Sequence, residues 1–343
     1  MMRSLLLTKP GDFIYQEMPH PGRPHRDEVL VKIHRIGICG TDFHAYRGLQ
    51  PYFTYPRRLG HELGVEVLEV GPDVKNLKPG DKCAVEPYLH CGTCHACRRG
   101  KTNCCEQLKV LGVHTDGGFC DFIILPLHKL HVANDLDYNQ LALVETLGIG
   151  FHAVNRADLV AGQVILVNGA GPIGLTIMQA AKLRGVKVIA HDNSSFRLGI
   201  SKAMGLAEEI VQGPVENMDA AIRQLNGGEL PEVVFDATGH LGSMQKCFDQ
   251  VAFGGIVVFV GLVQDNITFP DPFFHRKEIT LMGSRNATSK EFKEILQHLQ
   301  RKTISLEKWI GPQISFEGVI SAFPRLLTEQ ASFVKAIINL DKP

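Results

Sequence analysis

The segment Val164-Ile-Leu-Val-Asn-Gly-Ala-Gly-Pro-Ile-Gly174 joins a short apolar run to three glycines, and it decides how the second half of the chain folds. The apolar run predicts a buried strand, and residues 173–183 predict a helix directly after it. Glycines at these spacings allow a tight turn, close approach of a pyrophosphate to bare backbone, and close helix-to-strand packing. Because a helix N-terminus attracts anions, the segment predicts a dinucleotide site. Its contacts would be Gly169, Gly171, Pro172, Ile173 and Gly174.

The alternation of strand and helix continues beyond this segment. Residues 186–191 predict a strand and residues 196–204 a helix, and further buried strands are predicted over 232–236, 255–260 and 278–282. Apolar strands that alternate with helices are typical of a parallel, doubly wound sheet. We therefore predict an α/β fold for this part of the chain.

Asp192 ends the predicted strand that follows the glycine segment. A carboxylate at this position accepts hydrogen bonds from the adenine-ribose hydroxyls and repels a 2′-phosphate, so NAD is favoured over NADP. Arg197 is close enough in sequence to stack on adenine or to meet a phosphate, which weakens that preference. Alternatively, Asp192 could cap the next helix, a role that residues 193–195 could also fill.

A loop in the first half carries four cysteines at metal-ligand spacing. Cys91-Gly-Thr-Cys94-His-Ala-Cys97 is followed by Cys105, and Cys104 adjoins the last of them and could serve in its place. Four thiolates repel one another unless a dication neutralises them, and they can close on one tetrahedral zinc. Buried or redox cysteines are the alternative. Disulfides are disfavoured, because the chain has nine cysteines and no recognisable secretory signal.

The composition bounds the class of protein. With 343 residues and 44% hydrophobic content, the chain can form two domains with their own cores. Its 36 basic residues balance 36 acidic ones, which argues against a field that gathers nucleic acid or an anionic membrane. Without a signal sequence or an apolar stretch of membrane-spanning length, we expect a cytoplasmic protein whose partner is a small molecule.

The first third of the chain alternates short apolar runs with Gly and Pro. Runs of this length predict strands, and the turn residues between them favour a mostly β domain of irregular barrel type. The same texture resumes after residue 284, around Trp309, Ile314 and residues 333–339. The strands predicted in the first third cover residues 28–35, 64–70, 82–87, 122–125 and 129–132.

Two further segments each offer a metal ligand on a glycine-flanked turn, Gly37-Ile-Cys-Gly-Thr-Asp-Phe-His44 and Gly60-His-Glu62. A lone Cys or His is more often a packed core residue than a ligand. Together with the cysteine loop, the glycine segment and Asp236-Ala-Thr-Gly239, they resemble zinc-dependent medium-chain alcohol and polyol dehydrogenases. The resemblance covers essentially the whole chain.

This resemblance implies a GroES-like β-barrel catalytic domain from residues 1–152 and 286–343, with a structural zinc lobe at about 88–108. It implies a Rossmann domain that binds NAD over residues 153–285, with the active site in the cleft between the domains. It also favours Cys105 as the fourth ligand of the lobe and implies two zinc ions per chain in a homodimer or homotetramer. The cofactor contacts that it adds are Thr238, Val260, Gly261, Leu262, Ser284 and Arg285.

The resemblance also implies a catalytic zinc with an open position for the substrate. Its ligands would be Cys39, His61 and a carboxylate, either Glu62 or Glu145. Glu145 is slightly favoured as the deeper residue, although Thr146 follows it where proline is common in the family. The two carboxylates could also alternate between direct and water-mediated contact.

Alcohol oxidation needs an alkoxide, which a Lewis-acidic zinc stabilises, while NAD accepts the hydride. Thr41 is the candidate first link for removing the alcohol proton, with His44 next toward solvent, and a turn role is the alternative for Thr41. Asp42 is expected to orient His61 or a backbone turn. Arg285 could anchor a substrate carboxylate or a cofactor phosphate, or form a salt bridge.

Four segments bear on the substrate. Residues 48–57, 102–106, 112–119 and 282–288 look most like bacterial sugar-acid dehydrogenases of the L-galactonate 5-dehydrogenase type, although Arg58 stands where an aliphatic residue is usual. We therefore predict oxidation of a polyol, sugar or sugar acid. An L-threonine 3-dehydrogenase is the alternative among enzymes. A nonenzymatic NADH-binding or structural protein is the alternative of another class.

Overall fold

A computed structural model of the chain describes residues 1–51, 53–215 and 218–341. Its sheets are a parallel one in the middle of the chain, a mostly antiparallel one built from both ends, and two antiparallel strand pairs. No helix within the described ranges is both long and apolar enough to cross a bilayer.

The chain divides into two compact units. One is formed by Met1–Glu145 together with Ala287–Pro343, and the other by Thr146–Asn286. The domain boundary predicted after residue 152 lies inside the long helix Tyr138–Ala157. The division at Glu145 cuts the same helix, so no loop separates the units at that point.

The first unit contains a seven-stranded sheet and two strand pairs. β1 pairs with β2, and β6 with β7. The order in the large sheet is β16-β17-β3-β4-β5-β9, and β8 pairs with β3 outside this path. The strands of the unit are β1 (Met2–Lys9), β2 (Asp12–Met18), β3 (Glu28–Gly37), β4 (Glu62–Val70), β5 (Lys82–Val85), β6 (Tyr88–Leu89), β7 (Lys109–Val110), β8 (Phe122–Pro126), β9 (Leu130–Val132), β16 (Ile310–Ser315) and β17 (Lys335–Asn339).

Strand register brings three distant segments to one edge of the large sheet. β3 ends at Gly37, which lies opposite Glu62 at the start of β4. β17 pairs with the other side of β3 up to the same residue. Cys39 and His61, just outside these strand ends, and Lys335 at the start of β17 are therefore drawn together.

The helices of the first unit correct one prediction. The stretch after residue 284 was expected to resume barrel texture, and it does so only in β16 and β17, because two amphipathic helices fill the rest. The first of these begins with a capping box between Thr288 and Glu291. The helices are α1 (Gly40–Tyr46), α2 (His95–Arg98), α9 (Ser289–Gln300) and α10 (Val319–Glu329), and α3 (Tyr138–Ala157) runs from this unit into the second.

The second unit is a doubly wound parallel sheet, as predicted. Its six strands follow the order β12-β11-β10-β13-β14-β15, and every neighbouring pair is parallel. The strands are β10 (Val164–Asn168), β11 (Lys187–Asp192), β12 (Glu209–Gln212), β13 (Val233–Asp236), β14 (Ile256–Phe259) and β15 (Thr280–Gly283). The helices between them are α4 (Pro172–Lys182), α5 (Ser195–Ala203), α6 (Asp219–Leu225), α7 (Leu241–Gln250) and α8 (Asp271–Lys277). The order of the strands reverses between β10 and β13, where ligands bind in sheets of this kind.

A buried lysine caps the C-terminal end of α7. The Lys277 ammonium donates hydrogen bonds to the carbonyls of Phe248, Asp249 and Val251 at 3.1, 3.0 and 2.7 Å. Carbonyls at a helix end have no intrahelical partners. Because this helix end is buried away from water, the lysine supplies the hydrogen-bond donors.

Lys277→Met is expected to lower the free energy of unfolding by about 2–3 kcal/mol, because buried carbonyls lose their charged donor while the apolar stem is kept. Urea unfolding followed by circular dichroism measures the change. Lys182→Met is the matched control, since Lys182 forms only a half-exposed ion pair with Glu208 and its loss costs under about 1 kcal/mol. Equal effects of the two variants would contradict the capping role.

Candidate active site

Three side chains at the shared edge of β3 and β4 form the Cys39 cluster, which comprises Cys39, His61 and Glu62. One ligand atom of each lies within 4.8 Å of the other two. His61 is 5% exposed and Glu62 1%, while Cys39 is half-buried. A thiolate, an imidazole and a carboxylate in this arrangement are a donor set that zinc accepts.

Within the described part of the chain, two atoms of the Cys39 cluster are buried without a hydrogen-bond partner. They are Nδ1 of His61 and Oε2 of Glu62. Asp42 Oδ1, which also lacks a partner, lies 3.8 Å from the same His61 nitrogen. Since buried polar atoms are rarely left unpaired, the lone pairs of these atoms fit a bound cation nearby.

The charges around the Cys39 cluster also call for a cation. Burial alone would lower the pKa of His61, but the neighbouring Cys39 and Asp42 charges outweigh it and raise that pKa well above its usual range. In the absence of a dication, the anionic neighbours thus draw a proton to the imidazole. A zinc ion would neutralise the same anionic neighbours. This is a second sign that these residues fit a zinc ion.

Lys335 is the fixed cation of this region. Its ammonium is 3% exposed, donates to Glu62 Oε1, and lies 3.3 Å from the carbonyl oxygen of Ile38. The ion pair occupies Oε1 of Glu62, while Oε2 has no hydrogen-bond partner among the described residues. Sequence reasoning missed Lys335, although a single charge inside the apolar run 333–339 is a signal that could have found it.

Glu145 is buried beside the Cys39 cluster without belonging to it. Among the described residues, the three-ligand group contains Glu62, whereas Glu145 Oε1 accepts a hydrogen bond from the hydroxyl of Tyr88. Burial raises the pKa of Glu145, the His61 charge lowers it and the Glu62 charge raises it, so Glu145 lies within electrostatic reach of both. Tyr88 was not singled out from the sequence, and no local pattern marks it.

Helix α1 carries the residues proposed for proton removal. Cys39 is its N-cap, and its backbone N–H donates to Asp42 Oδ2 at 2.8 Å. Asp42 therefore orients the turn that holds the thiol. Thr41 is half-buried and His44 is exposed on the same helix. Partial burial of its ring and the charge of Arg47 lower the pKa of His44, which favours the neutral form of this imidazole.

The four-cysteine cluster consists of Cys91, Cys94, Cys97 and Cys105, and one sulfur of each lies within 4.8 Å of the others. Cys104 is exposed and outside it. Backbone N–H groups of Thr93 and Cys94 point at the Cys91 sulfur, and these bonds lower the pKa of that thiol to about 6. Burial raises the pKa of Cys97 to about 12. The four sulfurs cannot all ionise together unless a dication joins them, which fits a structural zinc.

The glycine segment has the geometry of a phosphate-binding turn. Gly169 has φ of +93°, which a residue with a side chain rarely adopts. A Cβ on Gly174 would lie 1.7 Å from the carbonyl oxygen of Gly169, so helix and turn can pack only with glycine there. A Cβ on Gly171 would meet nothing closer than Arg197 at 3.6 Å, which leaves this backbone open. Pro172 and Ile173 begin the helix.

Asp192 is held at the end of β11 by backbone donors. Its carboxylate accepts from Ala170 N and Ser194 N, both at 2.8 Å, and lies 3.8 Å from Arg197 Nη1. The N-cap of α5 is Ser194, whose hydroxyl accepts from Arg197 N. Since the cap role is filled by Ser194, Asp192 is placed against the glycine turn instead.

The remaining cofactor candidates lie after β13, β14 and β15. Asp236 gathers the turn behind β13 by accepting from the N–H and hydroxyl of Thr238 at 2.9 and 2.8 Å. The N–H groups of Val260 and Gly261 both donate to the Asp236 carbonyl at 2.9 Å. Three others sit at or beyond the carboxyl ends of these strands, namely Leu262, Ser284 and Arg285.

Fold and site together define a nucleotide-dependent metal oxidoreductase. Residues 25–135 match the alcohol dehydrogenase GroES-like domain and residues 172–301 match the zinc-binding dehydrogenase domain. The chain is 38% identical to L-galactonate-5-dehydrogenase of Escherichia coli K12, over 98% of this chain and 99% of that protein. The chain belongs to the zinc-dependent medium-chain alcohol dehydrogenase family, and it is an enzyme of that class.

Solved structures agree with this assignment. The rspB alcohol dehydrogenase of Escherichia coli CFT073, in complex with NADH, is similar with a TM-score of 0.90 and 29% identity over 99% of each chain. L-idonate 5-dehydrogenase of Escherichia coli K-12 MG1655 is similar with a TM-score of 0.89 and 25% identity, covering 99% of this chain and 98% of that one.

Proposed function

We propose that this protein is an NAD-dependent dehydrogenase that oxidises a secondary hydroxyl of a sugar acid such as L-galactonate, or of a related polyol or sugar. The observation that carries the proposal is the buried Cys39 cluster, whose partnerless ligand atoms suit a zinc ion. Similarity to L-galactonate-5-dehydrogenase and L-idonate 5-dehydrogenase supports the sugar-acid class. The net reaction converts the alcohol and NAD⁺ into a ketone, NADH and a proton.

Cys39, His61 and Glu62 are proposed to hold a catalytic zinc, and the four-cysteine cluster a structural one. When bound, the catalytic zinc supplies Lewis acidity toward the substrate hydroxyl, and NAD supplies the hydride acceptor. Thr41 is proposed to accept the hydroxyl proton and to pass it to His44, which is exposed to solvent. Glu145 is kept as the carboxylate that alternates with Glu62 or acts through water.

NAD is proposed as the cofactor in preference to NADP. We expect Asp192→Ala to weaken NADH binding about 10–100-fold, because one charged acceptor for the ribose hydroxyls is lost. NADPH binding should be unchanged or stronger, since the repulsion of its 2′-phosphate disappears. Fluorescence titration with both cofactors measures this, and the exposed Asp265→Ala is the control. A parallel loss for both cofactors would show that Asp192 only supports the turn.

The substrate class is tested by NADH formation from the zinc-loaded protein with L-galactonate, other aldonic acids, matching neutral polyols and L-threonine. We propose that Arg285 anchors the substrate carboxylate through a bidentate hydrogen bond. Arg285→Ala should raise KM for the acid about 100-fold and leave the neutral polyol unaffected, and Arg285→Lys should restore part of the loss. Turnover of neutral polyols alone would overturn the sugar-acid class, and turnover of L-threonine alone would favour the 3-dehydrogenase.

A homodimer or homotetramer is also proposed. β15 is the last strand of the parallel sheet, so its outer edge is unpaired within the described part of this unit. Leu281 on that strand is exposed. An open edge with an apolar side chain favours pairing with a second copy. Light scattering of the purified protein measures the oligomeric state, and a monomer at micromolar concentration would contradict the proposal.

A further inference from the structure

Tyr88 is a buried tyrosine whose hydroxyl forms a hydrogen bond with one carboxylate. It lies on β6, is 2% exposed, and donates to Oε1 of Glu145. Its ring packs edge-on against Phe292 with centroids 6.4 Å apart. The phenol has a single O–H, and it donates that hydrogen bond to the Glu145 carboxylate.

The segment that carries Tyr88 is held on both sides. Two residues earlier, Glu86 accepts from the buried Lys129 ammonium at 2.5 Å, from Ser289 at 2.5 Å, and pairs with His131 at 3.1 Å. Burial opposes ionisation of Glu86, but these partners outweigh it and lower its pKa to about 2. The ionised Glu86 carboxylate therefore stays bound to these partners. It limits the motion of the backbone two residues before Tyr88.

The other side of the segment ends at the four-cysteine cluster. Tyr88 lies opposite Val110 in the β6–β7 pair, and three residues later Cys91 donates its backbone N–H to the Cys105 sulfur at 3.3 Å. A segment fixed at Glu86 and at Cys91 presents the hydroxyl between them at a defined position.

We propose that Tyr88 is a positioning residue for the Cys39 cluster, which it serves by holding the Glu145 carboxylate at a fixed place beside His61 and Glu62. This inference rests on the proposed function. Lys335 restrains Glu62 through one oxygen and Tyr88 restrains Glu145 through one oxygen. Each carboxylate thus has one oxygen held by a side-chain donor of the protein. Because the donor to Glu62 is a cation and the donor to Glu145 is a neutral phenol, the two carboxylates are held by hydrogen bonds of different strength.

Loss of the Tyr88 hydroxyl should release Glu145 without disturbing the ring. A buried carboxylate that loses its donor seeks another partner, and a metal held by the Cys39 cluster would offer one. Partners of this outer kind typically change metal affinity or activity 10–100-fold when they are removed.

The test compares Tyr88→Phe, Glu145→Gln and the double variant. Zn²⁺ affinity of the Cys39 cluster is measured by chelator competition, and the visible spectrum of the Co²⁺-exchanged protein reports its coordination. Tyr15→Phe is the matched control, because its hydroxyl also donates to one partner, the carbonyl of Phe316, in the same unit. Kinetics with the substrate found in the panel give a third readout.

We expect Tyr88→Phe to change Zn²⁺ affinity at the Cys39 cluster about 10-fold, alter the Co²⁺ spectrum, and leave the four-cysteine cluster unchanged. In the Glu145→Gln background the same substitution should have no further effect. A Tyr88→Phe protein that behaves like Tyr15→Phe would overturn the inference, as would an equal effect in both backgrounds. A wild-type protein that binds no metal at the Cys39 cluster would instead overturn the proposed function.

Discussion

The Cys39→Ser variant is expected to lose about 10³-fold or more in kcat/KM, or about 4 kcal/mol of transition-state stabilisation. Cys39 is the one thiol of the Cys39 cluster, and a serine hydroxyl does not replace a thiolate as a zinc ligand at neutral pH. The site would keep His61 and Glu62, which are too few donors to hold the metal firmly.

The variant should nevertheless fold and bind cofactor. Cys39 lies in the first unit, and the glycine turn and Asp192 lie in the second. We therefore expect unchanged NADH binding, with zinc content falling from two equivalents to one. Metal analysis, fluorescence titration and steady-state rates on the same preparation separate these effects. A fully active Cys39→Ser protein would exclude the Cys39 cluster as the site of reaction.

Cys105→Ser is expected to lower the melting temperature by about 10 °C. A metal present at 1,000 times its dissociation constant contributes about 4 kcal/mol, and each kcal/mol shifts the melting temperature by about 2–4 °C in a unit of this size. The four-cysteine cluster lies apart from the apolar core of the unit, in which Cys83 and Cys120 are the cysteines. The variant should therefore still fold, but it should unfold at a lower temperature than the wild type.

The neighbouring Cys104 provides the control for this experiment. Cys104 is exposed and outside the cluster. The Cys104→Ser variant should therefore have the melting temperature and the zinc content of the wild type. Differential scanning calorimetry with and without a chelator measures both variants. If chelator left the wild-type melting temperature unchanged, the cluster would not be a structural metal site.

Local sequence was sufficient for the features that depend on neighbours in the chain. The strand, turn and helix around Gly169 follow from residues that touch one another, and the parallel sheet was predicted correctly for that reason. The spacing of Cys91, Cys94 and Cys97 likewise predicted the four-cysteine cluster, and Cys105 joins it in the structure. The expected cytoplasmic location stays a prediction.

Two of the features that were missed depend on distant pairing or lack a period. Lys335 meets Glu62 only because β17 and β4 flank β3, and no local pattern records that register. Helix α3 is buried on all sides over residues 141–148, so it shows no apolar stripe with a 3.6-residue period. Helix α9 did carry a signal, the capping box from Thr288 to Glu291, which indicates a helix start.

The opposed strand ends at Gly37 and Glu62 have a consequence for how such enzymes diversify. The chain leaves this edge of the sheet after α1 and returns to it at β4. The connecting segment, or excursion, is held against β1 by paired backbone hydrogen bonds between Leu7 and Arg57. Cys39 and His61, the two proposed ligands, are both placed by the sheet, so we expect that the excursion can lengthen, shorten or change composition without moving them. If the proposed zinc site is correct, new substrate preferences can arise in the excursion while the zinc site is unchanged, whereas a one-residue deletion within either strand would abolish the site.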